Sequence, residues 1–198
     1  MSVTRPLTLS RDSTTNEALN DVYDRSVETG LVGISKEHQR IHEGSAYSLG
    51  VNLSIQTSDI GAISITPGTG VNVHLKSLSF AALGGPVTIS LLEEYTFGSG
   101  STLTPMNRNR TGTQNVSSAA CEGSADATVT YVSGAPIQTL DTMYIPTSTV
   151  GDLMFGYGSA TDLEWILKPD TKYVIAITNG AIGTSVVQCN MFWYEQEA

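Results

Sequence analysis

"VNVHLKSLSFAA" (residues 71–82) places Val71, Val73 and Leu75 on one side, with Ser77 next in phase, and Asn72, His74 and Lys76 on the other. A period of two in a stretch rich in β-branched residues is the pattern of a strand with one face on a core and one on water. Working outward, the same texture recurs in "AYSLGVNLSI" (46–55), "GAISIT" (61–66), "VTISLLEEYTF" (87–97) and "ATVTYVS" (127–133). It continues in "GDLMFGY" (151–157), "DLEWIL" (162–167), "KYVIAITN" (172–179) and "SVVQCNMFWYEQ" (185–196). Turn-forming clusters separate them: "TPGTG" (66–70), "GGP" (84–86), "GSGS" (98–101), "SGAP" (133–136) and "KPDTK" (168–172). About nine short strands at this spacing, with no long helix among them, predict an all-β antiparallel sandwich or barrel over residues 45–198.

Composition agrees with one such domain. The chain has 198 residues, 40% of them apolar, which is enough for one sizeable core and excludes wholesale disorder. Ten Lys and Arg against 19 Asp and Glu leave a net charge of −9, the opposite of a nucleic-acid footprint. No apolar run approaches the length of a membrane span, and "MSVTRPLTLSRDSTTNE" lacks the apolar core of a signal peptide. The expectation is a soluble protein made in the cytosol, with Cys121 and Cys189 as reduced thiols.

Residues 1–44 read differently. In "STTNEALNDVYDRSVETG" (13–30), Thr14 or Thr15 can cap a helix, and Glu17 and Asp21 suit its positive end. Ala18, Leu19, Val22, Tyr23 and Val27 would fall on one face, and Gly30 would end the helix. A single narrow apolar stripe is marginal alone in water, so Leu19, Val22 and Tyr23 are candidate partner-binding residues. Residues 1–13 read as an arm that orders on contact.

Catalytic signatures are weak. His38 and His42 in "KEHQRIHEG" (36–44) are four apart, but Gln39 stands where a metalloprotease has its glutamate and a third ligand is missing, so no metal is expected. The glycine-rich stretches do not form a phosphate loop, and no serine sits in a nucleophile elbow. Glu93 and Glu94 are adjacent on one strand and point to opposite faces, so paired acid–base work needs a partner such as Glu164. Trp165 and Trp193, with Tyr157, Tyr173 and Tyr194, could form a sugar-binding platform, against which core packing is the simpler explanation. No enzymatic activity and no cofactor are expected.

"RIHEGSAYSL" (40–49), "MNRNRTGTQNVSSA" (106–119), "LEWILKPDTKYVIAITN" (163–179) and "MFWYE" (191–195) together resemble structural proteins of tailed-bacteriophage virions, most of all capsid decoration or cement proteins. The resemblance covers most of residues 40–195. It implies a jelly-roll-like β-sandwich on the capsid exterior, to which the reading of residues 1–44 adds an N-terminal arm and short helix. It also implies a homo-oligomer, with a trimer favoured, that bridges copies of the major capsid protein. The same sandwich occurs in phage tail, baseplate and receptor- or carbohydrate-binding modules, which is the alternative. An acidic protein with neither DNA nor membrane partners, carrying an arm that orders on a lattice, is consistent with it.

Within the acidic part, Arg108 and Arg110 stand out. Residues 47–198 hold five basic and twelve acidic side chains, and these two are the only cations between Lys76 and Lys168. In an extended stretch, residues two apart point the same way and offer two guanidinium forks to a carboxylate-rich surface. Asn107 and Asn109 add hydrogen-bonding groups beside them. Arg108, Arg110, Asn107 and Asn109 are therefore the other candidate partner-binding residues.

Overall fold

The computed structural model describes residues 36–98, 100–111, 115–132, 138–146, 155–157 and 164–198. Leu19, Val22 and Tyr23, with the helix expected around them, lie outside those residues, as does the arm. The compact unit that holds the sandwich runs from Arg40 to Ala198.

A short helix, α1 (Lys36–His42), precedes the strands. Eight segments make the body of the sandwich: β1 (Ala46–Ile55), β2 (Ile60–Thr66), β3 (Val71–Leu83), β4 (Val87–Glu93), β10 (Gln138–Ile145), the pair β11 (Phe155–Tyr157) and β12 (Trp165–Leu167), β13 (Tyr173–Asn179) and β14 (Ser185–Glu197). Their pairing is nested. β1 pairs with β14, β2 with β13, β3 with both β12 and β11, and β4 with β10, always antiparallel. The first half of the chain thus lies against the second half in reverse order, like one long hairpin. Rolling that hairpin brings β3 against β14 and β4 against β13. Odd-numbered members of the first half fall in one sheet and even-numbered members in the other.

The two sheets run β11-β3-β14-β1, with β12 also on β3, and β10-β4-β13-β2. Alternation decides which side chains meet between them. Leu49, Val51, Leu53 and Ile55 of β1 join Val187, Cys189, Met191 and Trp193 of β14 from one sheet. Ile63 and Ile65, Val87, Ile89 and Leu91, and Tyr173, Ile175 and Ile177 close on them from the other. All are nearly sealed from water, Trp193 at 2% exposure, so apolar burial across one continuous interior is the main stabilising term.

Two expectations from the sequence change. The phase of β3 breaks between Leu75 and Leu78: Val73 and Leu75 point inward, and then Leu78, Phe80 and Ala82 do. A bulge opposite the Phe192/Trp193 step admits one extra residue, so Lys76 and Ser77 both reach the outer face. Ser77 therefore leaves the inward series. The stretch 87–97 is two strands, because Glu94 adopts φ 61° and ends β4, and β5 (Tyr95–Phe97) begins on a new course.

The connection from β4 to β10 is the least expected element. The sequence reads as a polar loop from 98 to about 126, yet it holds β6 (Ser101–Leu103), β7 (Met106–Asn107) and β8 (Ala120–Ser124), followed by β9 (Val129–Tyr131). β7 extends one sheet beside β1, while β8 and β6 extend the other beside β2. β5 and β9 form a ribbon whose Phe97, Val129 and Tyr95 pack with Ala62, Leu92, Val174 and Ala176 in a second, smaller apolar cluster. One insertion thus lengthens both sheets at the same side and covers part of an outer face.

At the opposite end the turns are tight. Asn179, 4% exposed, donates from Nδ2 to the carbonyls of Ile55 (2.9 Å), Gln56 (3.0 Å) and Gly183 (2.8 Å). Its Oδ1 accepts from the Ala181 N–H (2.8 Å) and the Ser185 hydroxyl (2.9 Å), and the Gly180 N–H donates to Pro86 O (3.0 Å). Three turns, β1–β2, β3–β4 and β13–β14, are tied together by these bonds. Gly84 sits among them at φ +110°, and a Cβ there would lie 2.4 Å from Thr184 O. Gly84→Ala should therefore lower stability by at least about 2 kcal/mol. Urea unfolding followed by tryptophan fluorescence checks it, and an unchanged midpoint would refute this account of the turn.

Candidate interaction surface

Three distant stretches meet where β1 begins and β14 ends: the turn 42–46, the loop 104–119 and residues 190–195. Asn107, 5% exposed, donates from Nδ2 to Gly44 O (2.7 Å) and Asn115 O (3.0 Å), while its Oδ1 accepts the Asn109 N–H (2.8 Å). Asn109 in turn donates to His42 O (2.9 Å) and accepts from the Thr111 N–H and hydroxyl. The Arg108 N–H donates to Ala46 O (2.9 Å). These short amide side chains replace the ladder that the loop lacks after β7. Asn107 and Asn109 thus bond within the chain and shape the loop that carries the arginines.

Glu195 holds the other side of the loop. Its carboxylate accepts from the Ser117 hydroxyl, the Ser118 N–H (2.9 Å) and hydroxyl (2.7 Å), the Ala119 N–H (3.4 Å) and Trp193 Nε1 (3.3 Å). Tyr47 lies beneath, its hydroxyl donating toward Gly44 O and Val116 O, both at 3.3 Å. Burial, helped by the charge of Glu195, pushes the Tyr47 phenol up to about 12, so it stays protonated and able to donate.

On the outward side of β14, Phe192 and Tyr194 are two residues apart and share a face. The Arg108 guanidinium lies 5.2 Å from the Phe192 ring centre, and that of Arg40 5.9 Å from the Tyr194 ring. His74 stacks on Tyr194 at 4.4 Å with an 11° tilt. Glu164, just before β12, accepts from Lys76 Nζ (2.9 Å), meets His74 Nδ1 (3.3 Å) and accepts from the Tyr194 hydroxyl (3.4 Å). The β3 bulge is what aims Lys76 at Glu164. Arg110 is exposed on the loop beyond Arg108. Three cations, Arg40, Lys76 and Arg108, therefore gather around two aromatic rings, with Arg110 further along the loop and with Glu43 on Arg40 (2.8 Å), Glu164 and Glu195 as the carboxylates beside them. Such a surface can take up carboxylates through forked guanidinium bonds and stacking.

The catalytic candidates do not converge. Glu93, 7% exposed at the end of the interior, pairs with Lys168, which also donates its backbone N–H to the Tyr173 hydroxyl (3.1 Å). Glu164 pairs with Lys76 on an outer face, so the two carboxylates serve different lysines. His38 and His42 lie on α1, and among the described residues no three His, Cys, Asp or Glu side chains are grouped to hold a metal. Cys121 and Cys189 are buried and unbridged; burial, then the charges of Glu195 and Glu122, push the Cys121 thiol up to about 12, and burial raises Cys189 as well. Both therefore remain protonated and poor nucleophiles. Trp193, Tyr173 and Tyr194 are 1–3% exposed and present no open ring to a sugar; Tyr157 is in a strand whose side chains lie outside the description.

No protein-family model matches the chain, and no curated protein matches it. Among the described residues no helix is long and apolar enough to cross a membrane.

Sequence reasoning singled out the arginines and named Tyr194 only as part of a possible sugar platform; it passed over Glu195 and Phe192, whose contacts depend on the distant loop reaching them. The one local signal was that charge returns at Glu195 after 22 uncharged residues, 173–194. For Glu164, burial alone would raise the carboxyl, but hydrogen bonds and charge from Lys76 and His74 outweigh it and hold the group below its ordinary value near 4.5. A lowered folded-state value means a contribution that is present above the unfolded value and lost as pH falls through the folded one. Glu164→Gln should thus be less stable than the parent at neutral pH, by under about 1 kcal/mol, and converge with it in acid. Thermal melts across the acid range check this; a constant gap at all pH values would contradict it.

Proposed function

We propose that this chain is a non-enzymatic structural protein of a tailed-bacteriophage virion that binds the outer capsid surface and bridges or cements major capsid subunits. The observation that carries the proposal is the nested pairing of β1–β14, β2–β13, β3 with β12 and β11, and β4–β10. Strand pairing in that order supports reading the sandwich as a jelly roll, an architecture used by viral capsid and lectin domains. Three of the stretches that resemble decoration proteins, 40–49, 106–119 and 191–195, are hydrogen-bonded together in the surface described above. That surface and its loop carry Arg40, Lys76, Arg108 and Arg110, four of the ten basic side chains of an acidic chain, so its partner is an acidic patch on the major capsid protein or on a neighbouring copy in a homo-oligomer, a trimer by preference. Leu19, Val22 and Tyr23 of the arm supply an apolar contact in the same proposal.

A second possibility, a glycan-binding or tail module, has one observation in its favour. The outer face of the β1–β14–β3 sheet has a shallow depression lined by Asn52, Ala81, Leu83, Val186 and Gln188, which offers uncharged amides beside apolar surface. A glycan array would detect that activity, whereas co-sedimentation with empty capsids tests the leading proposal.

For the leading proposal, Arg108→Ala with Arg110→Ala should lower the melting temperature little, since exposed charges and one cation–π contact contribute under about 1 kcal/mol each. Capsid binding should weaken by roughly 1 to 3 kcal/mol if the pair is desolvated at the contact. Isotherms at low and high salt that overlap those of the parent would remove the arginines from the interface.

A further inference from the structure

Asn179–Gly180 is the only Asn-Gly pair in the chain. In a flexible chain this pair is chemically labile, because glycine has no side chain to hinder its own nitrogen. The backbone nitrogen of Gly180, on losing its proton, attacks Asn179 Cγ; the new C–N bond closes a succinimide, the Cγ–Nδ2 bond breaks, and the amide leaves as ammonia. Water then opens the ring at either carbonyl, leaving aspartate or isoaspartate.

The fold opposes each part of that step. The Gly180 N–H is engaged with Pro86 O at 3.0 Å. Ring closure requires Asn179 to rotate away from three carbonyls and two donors, at a position 4% exposed. Breaking these five hydrogen bonds together with the one from Gly180 to Pro86, in a buried site, amounts to opening the three turns that meet there.

The product also cannot return. A carboxylate only accepts, and at position 179 it would face Ile55 O, Gln56 O and Gly183 O where the amide donates at 2.8 to 3.0 Å. Isoaspartate would in addition lengthen the main chain by one methylene at the end of β13.

We propose that Asn179 is a deamidation site which the native fold keeps closed and prolonged unfolding opens, converting reversible unfolding into permanent loss of the sandwich. The single chemical lesion lies at the hub that joins the β1–β2, β3–β4 and β13–β14 turns.

Gly180→Ala gives a clean test. A Cβ there would lie 3.4 Å from Pro86 O and 3.6 Å from Pro86 Cγ, ordinary contact, so the native fold accepts it while the added methyl hinders ring closure in the unfolded chain. Parent and variant are held in mildly alkaline urea for increasing times and diluted; refolded fraction and the mass of the peptide containing residue 179 are read at each time. The expected result is a refolding yield for the parent that falls in step with amide-to-acid conversion, and a several-fold slower loss for Gly180→Ala. The parent kept native in the same buffer should show no conversion, and Asn179→Asp made directly should refold poorly. Full refolding of converted chains, or conversion of the native protein as fast as the unfolded one, would overturn the proposal. Should Gly180→Ala not fold at the outset, the parent time course and Asn179→Asp decide it.

Discussion

Strand β14 is hydrogen-bonded along its length to β1 on one side and to β3 on the other, and the remainder of the molecule follows from that double pairing. Its inward residues, Val187, Cys189, Met191 and Trp193, form the middle of the interior. Its outward residues, Phe192 and Tyr194, receive Arg108, Arg40 and His74. Near its C-terminal end it presents Glu195 to the loop. Because side chains alternate strictly along a strand, a slip of one residue would exchange Trp193 with Tyr194 and undo interior and surface together. The bulge opposite the Phe192/Trp193 step is the single allowed exception, and it brings Lys76 to the surface cluster.

The insertion between β4 and β10 serves two ends. It extends both sheets at their β1 and β2 sides, covering most of the β2 edge with β8 but only Tyr47 and Ser48 of the β1 edge with β7. It also brings Arg108 to the Phe192 ring of β14, with Arg110 two residues further along the loop. Polar side chains hold it where apolar ones are scarce: Asn107 and Asn109 from within the loop, Glu195 from the sheet. A loop fixed in this way presents its arginines without the entropy cost of ordering them on contact.

Much of the sandwich was legible in the sequence. β1 was read at its observed bounds, and β3, β13 and β14 within a residue, because a strand buried on one face must alternate. β10 was missed: "QTLDTMYI" lies at a sheet edge, half exposed, so threonines and an aspartate dilute its apolar pattern. β6, β7 and β8 were missed for a related cause, since they are short, β7 and β8 pair with β1 and β2 far away in sequence and β6 with β8, and Ser, Thr, Asn and Gly suffice there. The split at Glu94 depends on one left-handed residue that no period reveals. Of the interaction surface, the arginines were visible as isolated cations in an acidic chain. Their neighbours were not, because Phe192 and Tyr194 sit in the same apolar run as Trp193 and only the sheet decides which side each occupies. Asn179 looked like an ordinary strand end: three of its five hydrogen bonds stay within its own turn, and the two to Ile55 and Gln56 reach a turn more than 120 residues away that no local pattern reveals.

The central proposal is a place: the exterior of a phage head. Electron microscopy of virions carrying this protein with a compact label on it tests that directly. Label at regularly repeated positions over the head is the result expected of a decoration protein. Label confined to the tail, baseplate or fibres, or no label on the particle, would contradict it.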